Sequence, residues 1–125
     1  MKANIYFKKD KKVKLITKSS TQDNYGNYIS VYRYITDSSI WAYTNQLSQS
    51  QVFEAATHGD DEIRLFVLNY RNDLKVYDYI EYKNKYYTIT RVDTKDDYNT
   101  ELFVYVKDCA RGDTPHDIQP ASSQS

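Results

Sequence analysis

The sequence predicts a mainly β fold: a small antiparallel β-barrel of six to seven strands with one short helix and long loops. The chain carries 14 tyrosines against three glycines, and tyrosine favours strands. Short β-branched and aromatic runs follow one another closely between polar turns, which is typical of antiparallel sheets that close into barrels. With 125 residues the chain fits a single domain, and its one cysteine excludes an internal disulfide.

The strand candidates alternate with turn signals along the chain. Residues 23–27 are rich in types that tolerate positive φ, so they should join the first two strands as a hairpin. Residues 83–85 give a tight hairpin signal near the end of the domain. The predicted strands are 13–17, 28–36, 40–44, 62–68, 79–82, 86–92 and 102–106.

One segment has a helical pattern, from Ser48 to His58. Ser48 and Gln51 have the spacing of a capping box. An apolar stripe at helical spacing follows, and Gly59 can end the helix in a left-handed conformation. The stripe is narrow, so this helix must pack against another element to be stable.

Charge divides the chain into three predicted regions. Residues 1–18 carry seven lysines and one aspartate, net +6, whereas residues 19–125 are net −6. We therefore predict a basic N-terminal arm over 1–11 and a β-barrel domain over 12–109. Apolar residues become scarce after Cys109, so 110–125 should be a flexible C-terminal tail. A molecule so divided can stack head to tail or meet partners of opposite charge.

The chemistry-bearing residues do not form a catalytic or metal site. His58 and His116 lack partners at metal-ligand spacing. Cys109 has no base nearby in the sequence, and three glycines cannot build a phosphate-binding loop. We expect no enzyme activity and no cofactor. The N-terminus lacks the apolar stretch of a signal peptide, which favours a soluble protein made in a cytoplasm.

The N-terminal arm is the first candidate interaction segment. Tyr6 and Phe7 stand beside Lys8, Lys9, Lys11 and Lys12, a basic and aromatic combination found in nucleic-acid contacts. The body of the domain is acidic, however, and its tyrosines lack interleaved arginines. The alternative is that the chain is an unrelated small OB or SH3-like barrel, whose function is to bind nucleic acid or protein as an adaptor.

The order of several motifs resembles that of a known family. The first strand ends in a turn at Asn24-Tyr25-Gly26, and Ile40-Trp41-Ala42-Tyr43 begins a later strand. After Leu47-Ser48 and the predicted helix come Ile63-Arg64 and Asn69-Tyr70-Arg71, and a tyrosine hairpin over 79–89 closes the series. Over roughly residues 12–109 this order resembles the head-closure proteins of tailed bacteriophages, also called head–tail adaptors, head-completion proteins or stoppers.

The resemblance implies a structural head–tail connector component that closes the portal channel after DNA packaging and offers a docking surface to the tail. It implies as partners copies of the chain in a ring, portal or adaptor proteins, a tail completion protein and packaged double-stranded DNA, without a membrane. The protein would then reside in the virion, after assembly in the host cytoplasm. Residues 46–61 are then expected to form either a loop that projects into the channel or a helix that plugs the barrel. The candidate residues for contact with DNA or with neighbouring subunits in this segment are Gln49, Gln51, Phe53, Glu54 and His58.

Overall fold

The computed structural model describes residues 8–36, 38–48, 62–94 and 100–121, which form seven strands and no helix. The helix predicted from Ser48 to His58 falls, apart from Ser48, on residues 49–61, which lie outside this described part. Each predicted strand is present, although the first is much longer than expected. The strands are β1 (Lys11–Gln22), β2 (Tyr28–Tyr34), β3 (Ile40–Gln46), β4 (Arg64–Asn69), β5 (Tyr79–Tyr82), β6 (Lys85–Asp93) and β7 (Glu101–Asp108).

Six of the strands close into an antiparallel barrel, as the sequence predicts. The order is β1-β3-β4-β7-β6-β5, and β5 pairs back to β1 through Leu15 and Ile80. β1 pairs with β3 over Lys11–Val13 and then, on the same side, with β2 over Ile16–Gln22. β2 is therefore an additional strand that extends from the barrel with the second half of β1.

Both predicted hairpin turns are confirmed. In the first, the Asp23 carboxylate accepts the backbone N–H groups of Tyr25 and Asn27, each at 2.9 Å, and Gly26 takes φ 83°. In the second, Lys83 and Asn84 link β5 to β6 with φ values of 51° and 62°. Two consecutive positive φ values characterise the type I′ turn, whose twist matches that of the flanking strands.

The barrel interior is filled by side chains. Phe66 lies between the rings of Tyr82 and Tyr87, with centroid distances of 5.7 and 5.9 Å and edge-on geometry. β1 contributes Val13 and Leu15, which alternate with outward lysines. The core contains Val13, Leu15, Ala42, Phe66, Leu68, Leu74, Ile80, Tyr82, Tyr87, Ile89, Leu102, Val104 and Val106.

Residues 113–121, here called the strap, lie against the outside of the barrel. The sequence predicts a flexible tail over 110–125, but Gln119 pairs in parallel with Arg33 of β2. The Tyr34 N–H donates to the Gln119 carbonyl at 3.0 Å, and the Gln119 N–H donates to the Tyr32 carbonyl at 2.8 Å. Composition misses this contact because only a few apolar residues are needed to hold an extended segment on an open strand edge.

The strap covers a second apolar cluster, outside the barrel core. Ile16, Tyr32 and Tyr79 are its buried members, and Ile118 of the strap packs against them. Asp113 fixes the start of the strap, because its Oδ1 accepts hydrogen bonds from Tyr79 Oη and Lys18 Nζ, both at 3.0 Å. The strap is thus part of the folded domain.

Ile118→Ala should lower the free energy of unfolding by about 1–2 kcal/mol, below the range for a fully buried isoleucine because Ile118 is half-buried. Gln119→Ala is the matched control, since its main-chain pairing with β2 is retained. Chemical denaturation of both variants measures the difference. Equal stability of Ile118→Ala and the unmodified protein would contradict the packing of the strap.

Candidate interaction surfaces

The outward face of β1 carries a row of lysines stacked on aromatic rings. Lys12 Nζ lies 5.1 Å from the ring centroid of Trp41, and Lys14 Nζ lies 5.1 Å from that of Tyr34. Lys18 Nζ is 5.9 Å from Tyr32, nearer the strap. Alternation along β1 produces the row, because Val13 and Leu15 between the lysines point into the core. Cation–π contacts hold these lysines against the aromatic rings at the surface.

Tyr34, whose ring contacts Lys14 on this face, is held in place by a side-chain hydrogen bond. Burial and its hydrogen bond to Glu81, with Oη donating to Oε1 at 3.1 Å, raise the pKa of Tyr34 to about 12. The phenol is therefore protonated at neutral pH, and Glu81 stands opposite Lys14 in the β1–β5 register. An open groove beside this pair is lined by Lys14, Tyr34 and Thr36 and by Ile118, Pro120 and Ala121 of the strap.

The lysines predicted to steer the N-terminal arm occupy different environments. Lys9 Nζ forms a 2.6 Å ion pair with Glu101 at the start of β7, and Lys11 Nζ contacts Asp10 at 3.1 Å. Lys8 is exposed, and Lys12 belongs to the β1 row. The proposed anchors Tyr6 and Phe7 lie outside the described residues. The described lysines are thus spread over the end of the barrel.

The segment between β3 and β4 starts and ends at a fixed base. The Leu47 N–H donates to the Ile63 carbonyl, and the Ile63 N–H donates to Val106 of β7, both at 2.9 Å. Glu62 is buried, accepts a hydrogen bond from Thr90 and forms an ion pair with Arg91 at 3.1 Å. The predicted contact residues Gln49, Gln51, Phe53, Glu54 and His58 fall outside the described residues.

The ionisable groups of the described residues show no arrangement suited to catalysis. Burial raises the pKa of the Cys109 thiol, which also receives a hydrogen bond from Thr88 at 3.4 Å, so the reactive thiolate is disfavoured. Burial likewise raises the pKa of Asp78, whose carboxylate binds Thr17 and the Lys75 N–H. Within 8–36, 38–48, 62–94 and 100–121 there is no cluster of three potential metal ligands.

The projecting part of the first hairpin is a surface that the sequence did not single out. Tyr25, Tyr28 and Ile29 are 89, 76 and 47 % exposed. Their spacing fits an ordinary strand, so sequence reasoning predicted the hairpin without its extension beyond the barrel.

No helix of the described part is long and apolar enough to cross a membrane.

Comparison with known proteins identifies the family. A family model with the description "Phage head completion protein" matches residues 7–108 of this chain. Protein SF1141 from Shigella flexneri 2a, known from a solution structure, has the same fold: the TM-score is 0.68 at 16% identity, covering 83% of this chain and 96% of that one.

A chain from the virion of a native gene transfer agent particle aligns with a TM-score of 0.44 at 10% identity, over 75% of this chain and 89% of that one. No curated protein matches. The family match spans nearly all of the barrel, from just before β1 to the end of β7. The chain therefore belongs to the phage head completion protein family.

Proposed function

We propose that this protein closes the portal channel of a tailed phage head after DNA packaging and provides the surface on which the tail docks. In this role copies form a ring between portal or adaptor proteins on one side and a tail completion protein on the other. Assembly takes place in the host cytoplasm. The observation that carries the proposal is the family match over residues 7–108, the length of the barrel.

The barrel suits a structural role between larger assemblies. Its interior is occupied by packed side chains, so function has to reside on the outer surface and in the connecting segments. Surfaces with different chemistry occur at different places: the lysine row on β1, the base of residues 49–61 and the exposed hairpin. The family membership argues for a structural component and against an enzyme.

The direct test is to supply or withhold the protein during assembly. Phage lacking this chain should accumulate packaged heads that lose DNA and fail to join tails, and added protein should restore joining. Electron microscopy and nuclease protection of DNA in the heads provide the two readouts. Tailed, DNA-filled particles formed without the protein would refute the proposed function. The adaptor alternative predicts no defect in heads.

Residues 49–61 are proposed to obstruct the channel. The segment contains no lysine or arginine and three acidic residues, whereas strong affinity for phosphates requires positive charge. It would therefore hold DNA back as a steric barrier, with Gln49, Gln51, Phe53, Glu54 and His58 facing the channel or neighbouring copies. The hydrogen bonds of Leu47 and Ile63 would keep its two ends at the barrel.

Replacing residues 50–60 with a short Gly-Ser linker should leave the barrel folded, because the bonds at its base involve only residues that remain. Heads completed with this variant should lose their DNA to nuclease. Glu54→Gln is the control, since a steric barrier does not depend on that charge. DNA retention equal to that of the unmodified protein would contradict obstruction by this segment.

The N-terminal arm is proposed to dock on an acidic partner surface. Tyr6 and Phe7 would be its anchors, and Lys8, Lys9, Lys11 and Lys12 would steer the encounter, because exposed charges act mainly on the rate of association and its salt dependence. The pairing of Lys9 with Glu101 could be exchanged for a partner's carboxylate, since both side chains remain partly open to solvent and ion pairs near the surface contribute little to stability.

Deleting residues 2–10 should cost about 1 kcal/mol of unfolding free energy, because β1 begins at Lys11 and the main described loss is the half-buried Lys9–Glu101 ion pair. The same deletion should slow head completion. Glu101→Gln is the control that removes only the ion pair. Thermal unfolding and an assembly assay measure the two effects, and full assembly activity of the truncated protein would refute docking by the arm.

A further inference from the structure

Residues 19–31, here called the ribbon, form a two-stranded extension of the hairpin. Both faces are open to solvent: all of its residues are exposed except Asp23 and Val31, which are half-buried. A two-stranded hairpin without a third strand or a covering layer is only marginally stable in water. The ribbon is long for a turn that serves only to connect β1 with β2.

Both edges of the ribbon have unpaired backbone groups. Tyr32 and Tyr34 direct their backbone groups away from β1, toward Gln119. Because the direction alternates along a strand, Tyr28 and Ser30 also point outward, and no other described residue bonds to them. On the other side, β1 pairs with β5 only at Lys14–Ile16, so the outward backbone groups of Ser20 and Gln22 lie beyond that pairing.

The ribbon has none of the usual protection of a free strand edge. Proteins commonly block such edges with lysine, proline or other charged residues. Residues 19–31 contain no proline and a single ionisable charge at neutral pH, Asp23 in the turn. The strap demonstrates that the outer edge of β2 can accept an extended segment, because it already bonds to Tyr32 and Tyr34.

We propose that the ribbon pairs with the ribbon of a second copy of this chain. The β2 edge of one copy, at Tyr28 and Ser30, forms backbone hydrogen bonds with the β1 edge of its neighbour, at Ser20 and Gln22. The lack of charge points to a second copy, because identical segments placed side by side would otherwise repel each other. The two edges differ, so the contact is head-to-tail and can continue around a closed ring.

The strand directions agree with this arrangement. In a ring, rotation leaves all ribbons pointing the same way, so β2 of one copy runs antiparallel to β1 of the next. Antiparallel pairing is the better of the two hydrogen-bond patterns. Few backbone bonds are available at each edge, so the contact forms between copies already held side by side. This inference rests on the proposed ring and adds the surface through which its members join.

Mixed cross-linking tests the pairing. Two variants, Ser20→Cys and Ser30→Cys, are made in a Cys109→Ser background, so that each has one thiol. Phage particles are assembled with either variant alone or with both and then oxidised, because a disulfide forms only between thiols on directly facing strands, whereas Ser30 of neighbouring copies would lie two strand spacings apart, about 10 Å. We expect cross-linked dimers in particles containing both variants and at least tenfold fewer with either variant alone. Ser30→Cys with Gln46→Cys, exposed on β3, should remain uncross-linked.

Particles that contain the chain, detected by immunoblot, without a cross-link specific to the mixture would overturn the ribbon pairing and leave the proposed function intact. Cross-linking of Ser30→Cys alone would also overturn it, because that result indicates a two-fold contact between β2 edges. Completed particles from which the chain is absent would instead refute the proposed function. Ser30→Lys provides an independent readout: it should slow head completion while leaving the unfolding temperature unchanged.

Discussion

The pairing of β1 with β5 is the contact on which the other features depend. The two strands are far apart in sequence, and only three residues of each form the seam that closes the barrel. The seam is short because β5 has only four residues, and β1 continues beyond it with β2 as its partner on the other side. The first half of β1 thereby supplies Val13 and Leu15 to the core, and the second half leaves the barrel with β2 as its partner.

The departure of β1 and β2 from the barrel explains why the strap is needed. Ile16, Tyr32 and Tyr79 lie outside the barrel core and would be open to water without a cover. The strap covers them, and Asp113 offers one carboxylate oxygen to both Tyr79 and Lys18. The Tyr79 hydroxyl therefore keeps a polar partner while its ring is buried, which suits an aromatic residue with one polar end.

The sequence predicted the local part of this structure and missed the non-local part. Alternating residues and turn chemistry identified all seven strands and both hairpins, since period-two patterns and positive-φ turns act over a few residues. The extension of β1 through Ser19 and Ser20 was missed, because these residues are held by pairing with β2 and bury no apolar surface. The lysines around residues 8–12 were predicted as one group, yet Glu101 and Trp41, remote in sequence, separate them.

A closed barrel also limits where an edge can remain available. Closure pairs the barrel strands with one another and removes their free edges. β2 lies outside the barrel and keeps a free edge, and the strap occupies part of it. The N-terminal end of β1 and the ribbon are separated by residues 11–18 of the strand, about 26 Å at about 3.3 Å per residue. A body whose basic end and weakly charged ribbon lie this far apart can engage two different neighbours at once. The proposed position between a phage head and its tail would require such contacts on two sides, and β1 joins both surfaces because it runs from the basic end through the barrel sheet into the ribbon.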